Sequence, residues 1–586
     1  MKVFFKSIVV FAVVLFQINI SAQNVKIKIV ETTDVHGAIY PYNFQTGKKS
    51  TGSLSQVSTY LNEERSKKNQ SVLLLDNGDI LQGTPAVYYF NFEKPNVKHL
   101  YARVMNFMKY DAGSVGNHDI ETGHSVYDKF RKELNFKWFA ANAIDVRTGK
   151  PYFNPYYVTT IKGIKIAVLG MITPAIPKWL PPNIYKNIEF EDMVETAKKW
   201  VPIIRAKEKP DILIGLFHSG VDYSYGGNTA DTYRNENASE VVAERVPGFD
   251  VVFVGHDHHG WNKWVTNSAG KKVLILGATS SARNVAVANF SIDENTVDSK
   301  KVTGEIISMK NYASDKKFLT TFHKEFEEVK KYVSRPLGVF TSSISTSGAI
   351  FGSSPFTDLI NTAQLELSGA DISFTAPLAF TTRIDSGKIY VKDMFALYRY
   401  ENLLYTIKMT GREVKNYLEY TAGLWFNQMK SKSDHLLRFK TDKNGKTIYS
   451  ERTRHPELFD RYYNFDAAAG INYTVDISKP IGSRINIISM ENGKQFNYKK
   501  VYKVAVNSYR GNGGGGHLVK GAGISKSELR NRIIHSTEKD LRFLMMKWIE
   551  KKKTISLKKI SNWKVIPDNL WQAGKDRDYK IMFGKH

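Results

Sequence analysis

The chain predicts an α/β protein built as two domains. At 586 residues it exceeds the roughly 250–300 that one hydrophobic core usually serves. The runs Ile27 to Val30, Val72 to Leu75, Ile212 to Leu216 and Val251 to Val254 are short, rich in β-branched residues and bounded by polar or Gly residues, the pattern of buried strands. Between Ser314 and Val333, Phe318, Leu319, Phe322, Phe326, Val329 and Val333 recur at helical spacing, which predicts an amphipathic helix between the halves.

In chain order, Lys2 and Lys6 precede an apolar stretch from Ser7 to Ile20 and then Ser21-Ala22-Gln23, the form of a signal peptide over residues 1–22. The stretch is short for a membrane span, so no integral membrane segment is expected after cleavage, and the bacterial periplasm is the expected address. A first α/β domain is expected over 24–312. A connecting helix over 313–335 stops at Arg335-Pro336, since the residue before proline disfavours helix. Whether that helix is a strut or part of one core is open. A second α/β domain, 336–545, has a helix start with Pro at Ser354-Pro355. It also has a capping box, Thr410-Gly411-Arg412-Glu413, before Val414 to Thr421. Residues 546–586, with Lys551-Lys552-Lys553, Lys558 and Lys559, read as a basic extension.

The chemistry lies at the ends of the strands. Asp34-Val35-His36, Gly78-Asp79, Gly116-Asn117-His118-Asp119, His218-Ser219-Gly220 and Gly255-His256-Asp257-His258 each come directly after an apolar run, the third after the weaker run Ala112 to Val115. Sites in open α/β sheets form beyond the carboxyl ends of strands, so clusters far apart in sequence can converge. Singly, Asp and Asn are ordinary turn residues. Jointly they offer enough N and O ligands for two divalent metals, an arrangement suited to phosphoryl displacement. His, Asp and Asn suit Zn, Mn or Co. There is no cysteine, so neither a thiolate site nor a disulfide framework is available.

With 83 basic and 57 acidic residues the formal charge is +26. Such charge can gather phosphate-bearing substrates or contact nucleic acid. Its scatter reads instead as a Lys-rich solvated surface, and no stable nucleic-acid complex is expected. The expected state is a monomer.

The order Asp-x-His, Gly-Asp, Gly-Asn-His-(Asp/Glu), His, Gly-His-x-His resembles the calcineurin-like metallophosphoesterases. More narrowly, Thr33 to Gly37, Asp76 to Gly83 and Gly116 to Asp119 look like the secreted 5'-nucleotidase and 2',3'-cyclic-nucleotide phosphodiesterase family. That resemblance implies a four-layer sandwich followed by a nucleotide-binding C-terminal domain. It implies Asp34, His36 and His258 on one metal, Asn117, His218 and His256 on the other, and Asp79 together with a hydroxide between them, Asn117 also touching phosphate. His118 would assist the leaving oxygen. Glu121 stands where the family has an orienting Asp, preserving a carboxylate on a longer stem.

In the second domain the resemblance points to a base held between two aromatics, matched here to Phe465 in Tyr463-Asn464-Phe465-Asp466 and to Tyr509 before Gly513 to Gly516. With 33 Phe and 31 Tyr, either residue alone is equally readable as core. The Asn-Gly-Gly-Gly-Ile-Arg stretch usual in the 5'-nucleotidase branch is absent, and Gly515 stands where that branch has Asp. With Ser373 to Leu378, Tyr398 to Leu403, Asn472 to Asp476 and Asn507 to Arg510, this looks like the bifunctional 2',3'-cyclic-nucleotide 2'-phosphodiesterase/3'-nucleotidase branch. Alternatives are a broad-specificity 5'-nucleotidase, a phosphodiesterase acting on nucleic-acid ends and, from another class, a non-catalytic nucleotide-binding surface protein.

Overall fold

The strand runs read from the sequence lie side by side in two six-stranded sheets. A computed structural model describes residues 24–293, 296–450, 455–556 and 562–584; the expected leader falls outside them. In the first sheet Asn24–Thr32 runs parallel to Gln70–Asp76 and antiparallel to Asn284–Asp293. Ala112–Ser114 comes next, in parallel beyond Gln70–Asp76. In the second sheet Ile164–Ile172, Ile212–His218 and Val251–Val254 are mutually parallel.

Two faces of each sheet are covered, which explains why these strands are apolar throughout rather than alternating. Ile27, Ile29, Leu73, Leu75, Ile212, Ile214, Val251 and Phe253 fill the space between the sheets. On the outside of the second sheet, Met193, Ala197, Val201 and Ile204 of the helix Met193–Glu208 pack on Leu213 and Val252. Asp192 caps that helix, accepting from the Val194 and Glu195 amides. The helix Leu54–Ser66 covers the other sheet through Leu54, Val57 and Leu61. The result is the four-layer α/β/β/α sandwich, with every parallel strand pointing its carboxyl end to one edge.

The amphipathic segment after Ser314 is two helices, Lys316–Thr321 and His323–Val333, interrupted at Phe322 (φ −108°, ψ 17°). Asp315 caps the first. Phe318, Phe322, Val329 and Val333 are buried in the same apolar cluster as Leu337, Phe356 and Leu541. The segment is therefore integrated into a core that runs into the second domain.

That domain centres on a five-stranded sheet, ordered Ala467–Ala469, Ile372–Thr375, Val501–Asn507, Leu403–Thr410, Ile533–Asp540. Ser354 caps the helix Pro355–Ser368. The capping box closes both ways at the helix Gly411–Trp425, Glu413 N–H donating to Thr410 Oγ1 (3.2 Å) and Thr410 N–H to Glu413 Oε2 (2.6 Å).

The stretch expected as a basic extension from residue 546 differs. It begins inside the helix Leu541–Lys552, whose Met545, Met546 and Ile549 are buried. It continues as strand Thr554–Ile555 beside Pro336–Phe340 and strand Trp563–Ile566 beside Ile471–Asp476. The lysine run masks the apolar positions between the charges, Trp548, Ile549, Ile555, Trp563 and Val565, which are all buried.

Candidate metal centre and substrate cleft

All five clusters meet at the carboxyl edge of the sandwich. Backbone pairing brings them there: Asp34 N–H donates to Gly78 O (3.0 Å) and His36 N–H to Asp79 O (2.9 Å), while His256 N–H donates to Asp34 Oδ2 (3.0 Å). Asp34, His36, Asp79, His256 and His258 all have positive φ, between 48° and 76°. Such backbone is uncommon for residues other than glycine, and its concentration in one place marks strain held by the surrounding structure. Gly78 (φ +83°) allows a close approach, since a Cβ there would stand 2.5 Å from Gly116 N.

Two ligand groups result, Asp34 with His36 and His258, and Asp79 with His218 and His256, each with its donor atoms within 4.8 Å of one another. Asn117 joins the second, its Oδ1 lying 3.1 Å from His218 Nε2 and 2.8 Å from His256 Nδ1. The donor set fits a cation. His218 Nδ1–H donates to Asn77 O (2.5 Å) and His36 Nδ1–H to Gln82 O (3.1 Å), fixing tautomers that leave a lone pair on each Nε2. The His218 lone pair faces Asp79 Oδ2 at 3.2 Å, and the His36 lone pair faces His258 Nε2 at 3.0 Å. Electron-rich atoms opposed in this way require a cation or protons between them. Burial pushes His36 down to about 4. At His218 burial opposes charge, but Asp79 overrides it and pushes the imidazole up to about 10. Metal binding would release such protons.

His118 stands beside the groups, its ring centroid 5.5 Å from that of His36, and its backbone N–H donates to Asp79 Oδ1 (2.8 Å). Its Nδ1 meets Glu121 Oε2 at 2.5 Å, so the longer carboxylate does reach the ring. Against burial, Asp79 and Glu121 push His118 up to about 10.

Several residues of the site had no role in the sequence reading. Asp119, though within a quoted motif, accepts from the backbone amides of Gly116, Asp79, Ile80 and Leu81 (2.8–3.0 Å), so it shapes the loop that aims Asp79. Glu236 Oε1 lies 3.1 Å from His256 Nε2, orienting a candidate ligand as carboxylates commonly do; nothing in the sequence singled it out.

Of the two expected aromatics, one is displaced. Phe465 is fully buried and stacks on Trp425 (5.1 Å, 12°), in a cluster with Ile350, Phe374 and Tyr417. Its face is taken, so it offers no platform. The one-turn helix Tyr462–Asn464 carries Tyr463, two residues earlier in the same tetrapeptide, partly exposed and edge-on to Tyr400 (6.3 Å, 75°). Tyr509 is partly exposed. Arg510 clips the two motifs together: Nε donates to Asp466 Oδ2 (2.8 Å), Nη1 to Asn464 Oδ1 (2.9 Å) and Nη2 to Tyr463 O (2.6 Å).

The segment that follows Tyr509 adjoins the metal groups. Asn512 Nδ2 donates to Trp179 O (2.9 Å), and the Trp179 ring lies 5.6 Å from that of His256. Burial raises the Tyr509 phenol; Arg510 opposes this, and Tyr225 and Glu236 add to it, which places Tyr509 within electrostatic reach of the metal side. A second bridge runs from Tyr88 O–H to Asp540 Oδ2 (2.9 Å), with Arg542 over the Tyr88 ring at 5.1 Å.

Fold and site together define a metal-dependent phosphoester hydrolase. Residues 27–260 match the calcineurin-like phosphoesterase family model and residues 336–521 the 5'-nucleotidase C-terminal domain model. The chain thus carries a calcineurin-like phosphoesterase domain followed by a 5'-nucleotidase C-terminal domain. It is 25% identical to the 2',3'-cyclic-nucleotide 2'-phosphodiesterase/3'-nucleotidase of Salmonella typhimurium, across 94% of this chain and 90% of that one. It is 26% identical to the trifunctional nucleotide phosphoesterase protein YfkN of Bacillus subtilis, where it spans 39% of that longer protein. The 5'-nucleotidase precursor of Thermus thermophilus shares the fold at TM-score 0.61 and 20% identity, over 93% of this chain and all of that one. No described helix is long and apolar enough to cross a membrane.

Proposed function

We propose that this protein opens 2',3'-cyclic nucleotides to 3'-nucleotides and then hydrolyses these to nucleosides and phosphate. The observation that carries the reading is a cluster able to hold two cations, joined through Asn512 and Trp179 to the segment that follows Tyr509. The near full-length likeness to the Salmonella protein supports it. In this reading Asp34, His36 and His258 hold one divalent ion, Asn117, His218 and His256 the other, and Asp79 is shared. Zn, Mn or Co each suit these donors; when bound, such a pair lowers the pKa of water and offsets charge on phosphoryl oxygens.

The protein's own groups do the rest. Glu121 holds Nδ1 of His118, leaving Nε2 to give a proton to the departing ribose oxygen. The Asn117 amide orients a phosphoryl oxygen. Tyr463 and Tyr509 hold the base, with stacking worth about 1–3 kcal/mol per base, and so decide which ester bond faces the cluster. Turnover of the second ester requires the nucleotide to be presented again, hence loosening of the Asn512 to Trp179 and Tyr88 to Asp540 bridges. An engineered crosslink across them is expected to stop turnover, and undiminished turnover would remove this step. The charged start and apolar stretch to Ile20 support export, with the mature enzyme in the periplasm as a monomer.

The test is kcat/KM for 2',3'-cyclic AMP, 3'-AMP and 5'-AMP with protein reconstituted in Mn, Co or Zn. Cyclic AMP first and 3'-AMP second is the expected order. Preference for 5'-AMP would replace the reading with a 5'-nucleotidase.

A further inference from the structure

We infer that Tyr225, a residue of the metallophosphoesterase domain, is a third aromatic side of the nucleobase cleft, paired with Arg461, so that base selection draws on both domains. This rests on the nucleotide reading above and adds a specificity residue that neither the sequence motifs nor the cleft's two tyrosines disclose. The Arg461 guanidinium carbon lies 5.9 Å from the centre of the Tyr225 ring and 5.9 Å from that of Tyr463. One cation thus spans an aromatic from each domain, at a distance where the ring quadrupole attracts it.

Tyr225 has no core role to explain it. It is 42% exposed and absent from every buried apolar cluster of the described residues. Its position is nonetheless fixed. It lies beyond the strand that ends at His218, on a loop braced where Asn235 Nδ2 donates to Tyr223 O (2.9 Å) and Thr229 O (3.0 Å), and Asn237 Nδ2 to Asp222 O (3.0 Å). Gly226 and Gly227, at φ 71° and 81°, turn the chain sharply beyond the ring, a conformation that disfavours side chains. Burial raises the Tyr463 and Tyr509 phenols, Arg461 and Arg510 respectively oppose it, and Tyr225 contributes to both, so all three hydroxyls share one neighbourhood.

In this reading a flat base held by Tyr463 and Tyr509 would also meet Tyr225 and Arg461, since Arg461 lies 5.9 Å from the centres of both the Tyr225 and the Tyr463 ring. Both groups can stack on it, as aromatic rings and guanidinium planes do on splayed bases. The chemical class selected is therefore a nucleotide with an unpaired, accessible base, in preference to a sugar phosphate lacking one.

The experiment compares wild type, Y225A and Y225F in the metal-loaded full chain with two substrates, 2',3'-cyclic AMP and 1-O-methylribose 2,3-cyclic phosphate, and titrates adenosine calorimetrically. Y225A is expected to lower the ratio of kcat/KM for the nucleotide over the base-free ester about tenfold, through KM, and to weaken adenosine by a similar factor, consistent with one lost stacking contact. Y225F should recover most of both. An unchanged ratio, or a parallel fall on both substrates, would overturn the inference. A wild type that bound adenosine but hydrolysed no nucleotide would sink the substrate assignment alone, and the adenosine comparison would still decide the role of Tyr225.

Discussion

The metal edge of the sandwich and the aromatic cleft of the second domain differ in how function is written. At the metal edge the working atoms are polar, buried and opposed to one another, as with His218 Nε2 against Asp79 Oδ2, so a core role is physically excluded. In the second domain the proposed working groups are tyrosines, and a ring serves equally well as core filling. Phe465 and Tyr463 stand two residues apart and take opposite fates: one stacked on Trp425 in the interior, the other partly exposed.

The largest expected effect lies at the metal edge. Asp79→Ala removes the carboxylate proposed to be shared by both groups and should abolish hydrolysis while lowering metal content, read by elemental analysis of the purified variant. Retained stoichiometric metal would show that Asp79 is not shared. His118→Ala should come second, lowering kcat by roughly 10²–10⁴ with KM little changed. Glu121→Gln should cost less, since only the ring's orientation is weakened; equal losses would make Glu121 a direct participant.

The same comparison separates Phe465 from Tyr463. Phe465→Ala should destabilise the fold by about 3–5 kcal/mol, the usual range for an emptied aromatic site, measured by denaturant unfolding. Tyr463→Ala should leave the midpoint nearly in place and raise KM for nucleotides about tenfold. The reverse pattern would restore Phe465 as a platform.

A smaller effect concerns the clip between the motifs. Arg510 holds the buried Asp466 carboxyl below its usual range against the opposing effect of burial. A depressed folded pKa means that this contribution to stability is present above the unfolded value near 4 and is lost as pH falls through the lower folded one. Thermal melts of wild type from pH 6 to 3 should therefore show an acid-side decline that is reduced in Asp466→Asn. Identical slopes would remove the pair from the acid limb.

Most of the metal edge was legible because ligand chemistry and strand ends obey separate rules that agree. The runs gave the strands, and their carboxyl ends gave the clusters. Asp119 and Glu236 were less accessible: the first works through four backbone amides, and the second approaches His256 from a loop with no motif of its own. In the second domain the caps at Ser354 and Thr410 could be read from local hydrogen bonding. By contrast, the fate of residues 546–584 depended on long-range strand pairing, which a charge run conceals. The choice of Tyr463 over Phe465 likewise turns on a single helical turn, a matter of direction rather than composition.

In the proposed reading the two domains divide the labour, with chemistry on one and the main base platform on the other. Calorimetric titration of adenosine into H118A and Y463A tests it most directly. H118A, impaired in turnover, is expected to bind adenosine as wild type does, while Y463A binds it about tenfold more weakly. Loss of adenosine binding in H118A, or undiminished binding in Y463A, would contradict that division.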